Sequence, residues 1–112
     1  EAARIDIAFP VTHGVYGEDG CLQGVLEWMG TPYVGSGVLA SALAMNKVVA
    51  NRALAQAGCE VPLGCLISAD DLDPLGRIDA VLGARPVCMK PNEGGSSVGI
   101  ERLHDPDERA AA

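Results

Sequence analysis

The sequence predicts an α/β fold, and three observations carry that prediction. An apolar run at 4–11 has the character of a strand, and a glycine-rich loop at 12–19 follows it. Apolar residues then recur at helical spacing over 20–29. Further along, the apolar run 87–89 leads into a glycine- and serine-rich loop and a second apolar stretch, a pattern typical of a hairpin. Strands and helices that alternate in this way indicate sheet-and-helix packing.

Each predicted element has a local reason. The first helix, 20–29, ends at Gly30, and a long second helix, 39–57, ends at Gly58, because glycine readily takes the left-handed conformation that terminates helices. Between these helices, a strand is predicted at 32–34, and the turn at 35–37 marks a candidate domain boundary. After the second helix come a strand at 64–67, a stretch capped by Ser68 or Asp70, and a helix at 77–83. The last predicted elements are strands at 87–89 and 98–103 around a loop at 91–97, and a helix that begins at Pro106 with Asp105 as its N-cap.

The composition of the 112-residue chain narrows the class of protein. Its length suits one small domain or parts of two. A net charge of −7 argues against a nucleic-acid surface, which needs clustered Lys and Arg. No apolar run reaches the roughly 18 residues of a membrane span, and the first residues lack the pattern of a signal peptide. The four cysteines lack the spacing of a zinc site, and we therefore expect a reduced, cytoplasmic protein without a membrane or nucleic-acid partner.

Two runs carry polar groups suited to chemistry. Residues 13–24 read His-Gly-Val-Tyr-Gly-Glu-Asp-Gly-Cys-Leu-Gln-Gly, which places an imidazole and two carboxylates among glycines between a strand and a helix. Residues 90–99 read Lys-Pro-Asn-Glu-Gly-Gly-Ser-Ser-Val-Gly, in which backbone N–H groups, hydroxyls and an ammonium could hold phosphate. Taken singly, each run also has a structural interpretation. The second run could be a plain hairpin, His13 a structural hydrogen-bonding group, and Lys47 a solvated residue on a helix.

Taken together, the runs resemble one family. Residues 13–24 match, position by position, the signature of the D-alanine–D-alanine ligases, H-G-x-x-G-E-D-G-x-[apolar]-Q-G. Residues 32–47 are similar to the family segment that joins its first and second domains, and residues 90–99 to its glycine-rich loop. The resemblance extends over about 9–103. It implies the ATP-grasp fold, with 1–36 as the end of the N-terminal substrate-binding domain and 37–112 as the first part of the ATP-binding domain.

The resemblance also implies roles for individual residues. His13 would lie in the site of the first D-alanine, and Ser96 would hydrogen-bond within the substrate site, so these two are the catalytic candidates. Glu18 and Asp19 would support the substrate loop. The nucleotide-binding candidates include the only two lysines of the chain, and they are Lys47, Lys90, Gly94, Gly95, Ser97, Val98 and Gly99. No residue of this chain is expected to bind metal.

The implied reaction joins two D-alanines at the expense of ATP, with Mg²⁺, through an acyl phosphate, in the synthesis of peptidoglycan precursors. The family's substrate-amine glutamate and its Mg²⁺ ligands match no segment of this chain, so we expect the 112 residues alone to be inactive and the whole enzyme to be a homodimer. Asn46 stands where the family usually has Asp. A D-Ala–D-lactate ligase and a non-catalytic nucleotide-binding module are the alternatives. A Rossmann-type dinucleotide site is disfavoured because G-x-G-x-x-G is absent.

Overall fold

The structure, a computed structural model, describes residues 4–111. Its helices and strands are, in chain order, α1 (Cys21–Trp28), α2 (Val38–Met45), α3 (Lys47–Gln56), α4 (Pro74–Leu82), β1 (Val87–Met89), β2 (Glu101–Leu103) and α5 (Pro106–Ala111). The predicted α/β composition is therefore present. The longest of these helices has ten residues, and no helix in the described part of the chain is long and apolar enough to cross a bilayer.

The hairpin predicted near the end of the chain is confirmed. β1 pairs with β2 in antiparallel register, with Val87 opposite Leu103 and Met89 opposite Glu101. The returning strand is shorter than the predicted 98–103, because residues 98 and 99 belong to the turn. The hairpin places the glycine-rich loop between its two strands, so this loop leaves the sheet at Lys90 and rejoins it at Glu101.

The predicted first strand is reduced to one parallel bridge. Ala8 faces Tyr33, and the Ala8 N–H donates to Pro32 O at 2.8 Å, while Ala8 O accepts from the Val34 N–H at 3.0 Å. The Tyr33 hydroxyl donates to Glu27 of α1 at 2.7 Å, which ties the short 32–34 segment to that helix. These contacts fix the chain on both sides of the His13–Gly24 run.

The prediction of one long helix over 39–57 is wrong, because the chain breaks at Asn46. Asn46 has φ −85° and ψ 105°, an extended conformation that ends α2 and begins α3. Its Oδ1 atom accepts from the Val49 N–H at 3.1 Å, so the side chain replaces the helical bond that the break removes. Asparagine competes with the helical backbone in this way more readily than a straight-chain residue does.

The predicted strand at 64–67 is also wrong, since this stretch is irregular. The next helix begins three residues before the predicted start, at Pro74, with Asp73 as its N-cap: Asp73 Oδ1 accepts from the Gly76 N–H at 2.9 Å. Proline at the first helical position and an acidic N-cap are an expected combination. The stretch predicted to be capped by Ser68 or Asp70 is an irregular turn, in which Ser68 Oγ accepts from the Asp70 N–H at 3.4 Å and the Ser68 N–H donates to Asp71 at 2.7 Å.

The last helix, α5, is held to α4 by a buried arginine. Asp105 caps α5 as predicted, through the Glu108 N–H at 2.9 Å. The Arg109 side chain is almost fully buried and donates to Asp79 Oδ1 and Gly83 O, each at 2.9 Å, and to Arg85 O. A cation at the carbonyl end of α4 also complements the helix dipole.

Much apolar surface of the described chain is exposed. Among the apolar side chains described, only Leu103 is buried, at 6% exposure, while Trp28 is 90% exposed. The radius of gyration is 18.3 Å, whereas a compact chain of this length would have about 13 Å. The described residues therefore share no extensive apolar core among themselves.

Candidate active site

The loop that begins at His13 is organised by its own two carboxylates. Glu18 Oε2 accepts from the Gly14 N–H at 2.6 Å, and the Asp19 carboxylate accepts from the N–H groups of Tyr16 and Cys21 at 2.7 and 3.0 Å. All three bonds span four residues or fewer. They satisfy backbone donors that a non-helical turn would otherwise leave to water. The supporting role predicted for Glu18 and Asp19 is compatible with these contacts.

The Asp19 carboxylate is stabilised in its charged form. The hydrogen bonds from the Tyr16 and Cys21 N–H groups lower its pKa below the ordinary value of 3.8. The neighbouring Cys21 thiol donates to the same carboxylate, and this raises the pKa of the thiol. The thiol next to the candidate site is therefore kept protonated, which makes it a poor nucleophile.

The end of the loop is packed tightly. Gly17 O accepts from both Thr12 Oγ1, at 3.2 Å, and Gln23 Nε2, at 3.3 Å. Gly20 has φ +94°, and a Cβ atom there would lie 2.7 Å from Val38 O, the first residue of α2. Glycine is thus required at position 20 both for its conformation and for its closeness to the backbone of α2.

The glycine-rich loop is anchored from a distance, at the N-terminus of α3. Asn92 O accepts from the Lys47 N–H at 3.0 Å, and Asn92 Oδ1 accepts from the Val48 N–H at 3.1 Å. The Lys47 ammonium donates to Asn92 O at 3.3 Å and to Gly94 O at 3.2 Å. An ammonium has three N–H groups, so one N–H of Lys47 remains to donate to a ligand.

The two lysines and the glycine-rich loop share one cavity of about 140 Å³. Its lining residues are Lys47, Lys90, Pro91, Gly94, Gly95, Ser96, Ser97, Val98 and Ile100. At about 30 Å³ per water molecule, the volume suits a phosphate-sized group rather than a whole nucleotide. Two cations, two hydroxyls and glycine backbone around a space of this size can bind an anion through charge and hydrogen bonds together.

Contact between the two loops brings the predicted site residues together. A Cβ atom on Gly95 would lie 3.2 Å from Gly14 Cα and 3.3 Å from Glu18 Oε2. Gly14 directly follows His13, whose side chain is exposed at this junction. The imidazole does not line the described cavity itself. Its chain neighbour Gly14 contacts Gly95, which does line the cavity.

Two serines of the loop adopt a conformation that usually belongs to glycine. Ser96 has φ +54° and Ser97 has φ +59°. The left-handed region costs an ordinary residue of the order of 1 kcal/mol. Gly99 completes the turn at φ +71°, and a Cβ there would lie 2.9 Å from Pro91 Cγ. Gly99 therefore shapes the loop but does not line the cavity.

Three residues of the site were absent from the sequence-based candidates. No role is predicted from the sequence for Asn92 or Glu93, and Asn46 stands out there only by its difference from the family pattern. The N-cap position of Asn46 has a sequence signal, since asparagine before a helical run is a common N-cap. The contacts of Asn92 and Glu93 join positions 44 to 47 residues apart, and no local pattern indicates them.

A divalent metal does not fit the described residues by themselves. Residues 4–111 contain no group of three or more His, Cys, Asp or Glu side chains that could hold a metal ion. The donor set of the cavity is cationic and hydroxylic, which suits phosphate and not Mg²⁺.

Comparison with known proteins gives the same family as the sequence motifs. Residues 1–36 match the family described as the D-ala D-ala ligase N-terminus. The D-alanine–D-alanine ligase of Geobacter sulfurreducens is 48% identical over 109 residues, which are 96% of this chain and 33% of that protein.

Solved structures agree. The VanG D-Ala:D-Ser ligase of Enterococcus faecalis superimposes with a TM-score of 0.83 at 38% identity, over 99% of this chain and 32% of that one. The Bacillus anthracis D-alanine–D-alanine ligase complexed with ATP gives 0.74 at 38% identity, over 96% and 33%. The predicted α/β, ATP-grasp fold class is thereby confirmed. The chain spans about a third of the length of the relatives it matches, and over that stretch it is similar to D-alanine–D-alanine ligases.

Proposed function

We propose that this chain supplies part of the active site of an ATP-dependent ligase that joins two D-alanines into D-alanyl-D-alanine, the dipeptide of peptidoglycan precursors. The observation that carries the proposal is the contact between the two loops. The His13 loop and the glycine-rich loop meet at Gly14 and Gly95, with both lysines on the glycine-rich side. An amino-acid site and a phosphate site side by side are what carboxylate phosphorylation by ATP requires.

The proposed roles divide the site residues between the ATP phosphates and the D-alanine substrate. Lys47 and Lys90 bind the ATP phosphates. Gly94, Gly95, Ser97 and Val98 cover the phosphates, in a loop whose turn is shaped by Gly99. His13 lies toward the D-alanine carboxylate that becomes phosphorylated, and Ser96 hydrogen-bonds in the substrate site. Glu18 and Asp19 position the His13 loop. The cationic, hydroxyl-lined cavity supports the first assignment, and the bonds to Gly14, Tyr16 and Cys21 support the last.

The reaction needs charge neutralisation more than covalent chemistry from the protein. As the γ-phosphoryl group moves to the carboxylate oxygen, negative charge spreads over the phosphate oxygens, and fixed ammonium and N–H donors stabilise it. The amine of the second D-alanine then attacks the acyl phosphate, and phosphate leaves. Mg²⁺, if bound beside the phosphates, would supply further charge neutralisation.

We also propose that the chain divides at residue 36, with 1–36 in a substrate domain and 37–112 in an ATP-binding domain. The family match over residues 1–36 supports this division, and the extended Gly37 that precedes α2 suits a link between domains. A homodimer in the cytoplasm, where ATP is available, completes the proposal.

The test is ATP turnover by the native full-length polypeptide that carries this sequence. We expect ADP release that depends on D-alanine and a dipeptide product, and we expect Lys47→Ala and Lys90→Ala to reduce both by roughly 100-fold or more, the size seen when a transition-state charge donor is removed. Lys47→Arg is the charge-preserving control. ATP binding without D-alanine-dependent turnover would support the non-catalytic module instead.

The second substrate is a separate question, because one of the matching structures is a D-Ala:D-Ser ligase. Competition among D-alanine, D-serine and D-lactate for the second position, read as product masses, decides it. We expect D-alanine to be favoured, since the 48%-identical relative is a D-alanine–D-alanine ligase. Predominant D-lactate or D-serine product would overturn that expectation without overturning the ligase reaction.

A further inference from the structure

The hydrogen bond between Asn46 and Glu93 has no role in the proposed function. Asn46 Nδ2 donates to Glu93 Oε1 at 2.8 Å, across 47 residues of sequence. The other end of the same amide, Oδ1, accepts from the Val49 N–H at 3.1 Å and caps α3. Both ends of the amide are engaged, and exchanging its oxygen and nitrogen would break both bonds.

Glu93 lies between the two carbonyl groups that hold Lys47. The Lys47 ammonium donates to Asn92 O and Gly94 O, the residues on either side of Glu93. A bond that fixes Glu93 therefore restrains both acceptors and, with them, the position of the ammonium. We propose that Asn46 is a positioning residue. Its hydrogen bond to Glu93 holds the glycine-rich loop against Lys47, and this bond requires an amide side chain at position 46.

The requirement for an amide separates this role from helix capping. Aspartate is as good an N-cap as asparagine, and its negative charge is favourable at a helix N-terminus. A carboxylate, however, has no N–H group to donate. At position 46 it would face the Glu93 carboxylate at hydrogen-bond distance, where like charges repel. Asn46→Asp therefore keeps the cap and removes the contact with the loop.

Hydrogen exchange of the native full-length polypeptide tests the contact without reference to activity. The proteins compared are the native protein, Asn46→Asp, Glu93→Gln and the double variant Asn46→Asp/Glu93→Gln. We expect exchange of the Lys47 and Val48 amide protons, which donate to Asn92 O and Asn92 Oδ1, to rise roughly three- to tenfold in Asn46→Asp, the effect of losing one exposed hydrogen bond. Glu93→Gln retains an acceptor and should stay protected. The double variant restores a donor opposite Asp and should regain protection.

The matched control is Asn51→Asp, which makes the same chemical change on the same helix, at a position away from Glu93. It should leave exchange of the Lys47 and Val48 amide protons unchanged. Unchanged exchange in Asn46→Asp, or no recovery in the double variant, would overturn the inference.

The expected effect on KM for ATP rests on the proposed function and is measured in a separate experiment. We expect KM for ATP to rise in Asn46→Asp and to fall again in the double variant. A native protein without D-alanine-dependent turnover would contradict the proposed function, while the exchange measurement would still decide the role of Asn46.

Discussion

The two loops of the candidate site reach a defined shape by opposite routes. The His13 loop is held by Glu18 and Asp19 through bonds that span two to four residues. The glycine-rich loop is held by α3 through bonds that span 44 to 47 residues. The first loop therefore carries its own scaffold, whereas the second takes its shape from a helix elsewhere in the chain. A substitution in α3 should thus disturb the phosphate side of the site and spare the amino-acid side.

The largest expected effect is at the boundary of the self-contained loop. Gly20→Ala places a Cβ 2.7 Å from Val38 O in a residue with φ +94°, and we expect a loss of about 2–3 kcal/mol in the free energy of unfolding. Gly24→Ala is the control, because its Cβ would lie 3.9 Å from Val38 Cγ2, at ordinary contact distance. Denaturant midpoints of the native polypeptide measure both. Equal effects of the two variants would contradict the required closeness at Gly20.

A smaller effect is expected where α3 meets the glycine-rich loop. Asn92→Ala removes the acceptor of the Val48 N–H, and the loss of such a cap costs about 1 kcal/mol. Asn92→Asp keeps the acceptor and should retain most of that stability. Exchange rates should rise at Lys47 and Val48 in Asn92→Ala but stay unchanged at 14–19. Faster exchange at 14–19 would show that the first loop is not self-contained.

A third variant tests the contact that joins the two loops. Gly95→Ala brings a Cβ to 3.2 Å from Gly14 Cα, so the loops must separate by a few tenths of an ångström. We expect about 0.5–1 kcal/mol of destabilisation and altered NMR shifts at both Gly14 and Gly95. Gly64→Ala, where a Cβ would meet nothing within 4 Å, is the matched control. Shift changes confined to residues near Gly95 would argue against the junction.

The smallest expected effect is a pH dependence confined to the His13 loop. Because hydrogen bonds lower the pKa of folded Asp19 below 3.8, its contribution to stability is complete above that value and is lost as the pH falls through the lowered pKa. The amide protons of Tyr16 and Cys21 should therefore stay protected at pH 4 and exchange faster in stronger acid, after correction for intrinsic rates. Asp19→Asn should show a flatter profile. Identical profiles in the two proteins would contradict the role of the carboxylate.

The difference between the loops also explains what sequence reasoning could predict. The turn that follows His13, the helix that starts after Gly20, the 87–89 strand and the Asp105 cap were all predicted, because each depends on neighbours within a few residues. The break at Asn46 has a local signal, since asparagine is a common N-cap, but the helical periodicity on both sides of it favours one continuous helix. The 64–67 stretch is apolar enough for a strand, yet it has no pairing partner among the described strands. The anchoring of Asn92 and Glu93 depends on a helix more than 40 residues away.

The paired left-handed serines have a consequence for the variation that this site can accept. Threonine is the usual replacement for serine when a hydroxyl group is to be kept. At Ser96 and Ser97 this replacement is unfavourable, because a β-branched side chain is poorly tolerated at positive φ. Asparagine, aspartate and glycine accept that backbone more readily. A substitution matrix that scores chemical likeness would therefore rank replacements here in the wrong order. Libraries for this loop are better built from residues that share a backbone preference than from residues that share a functional group.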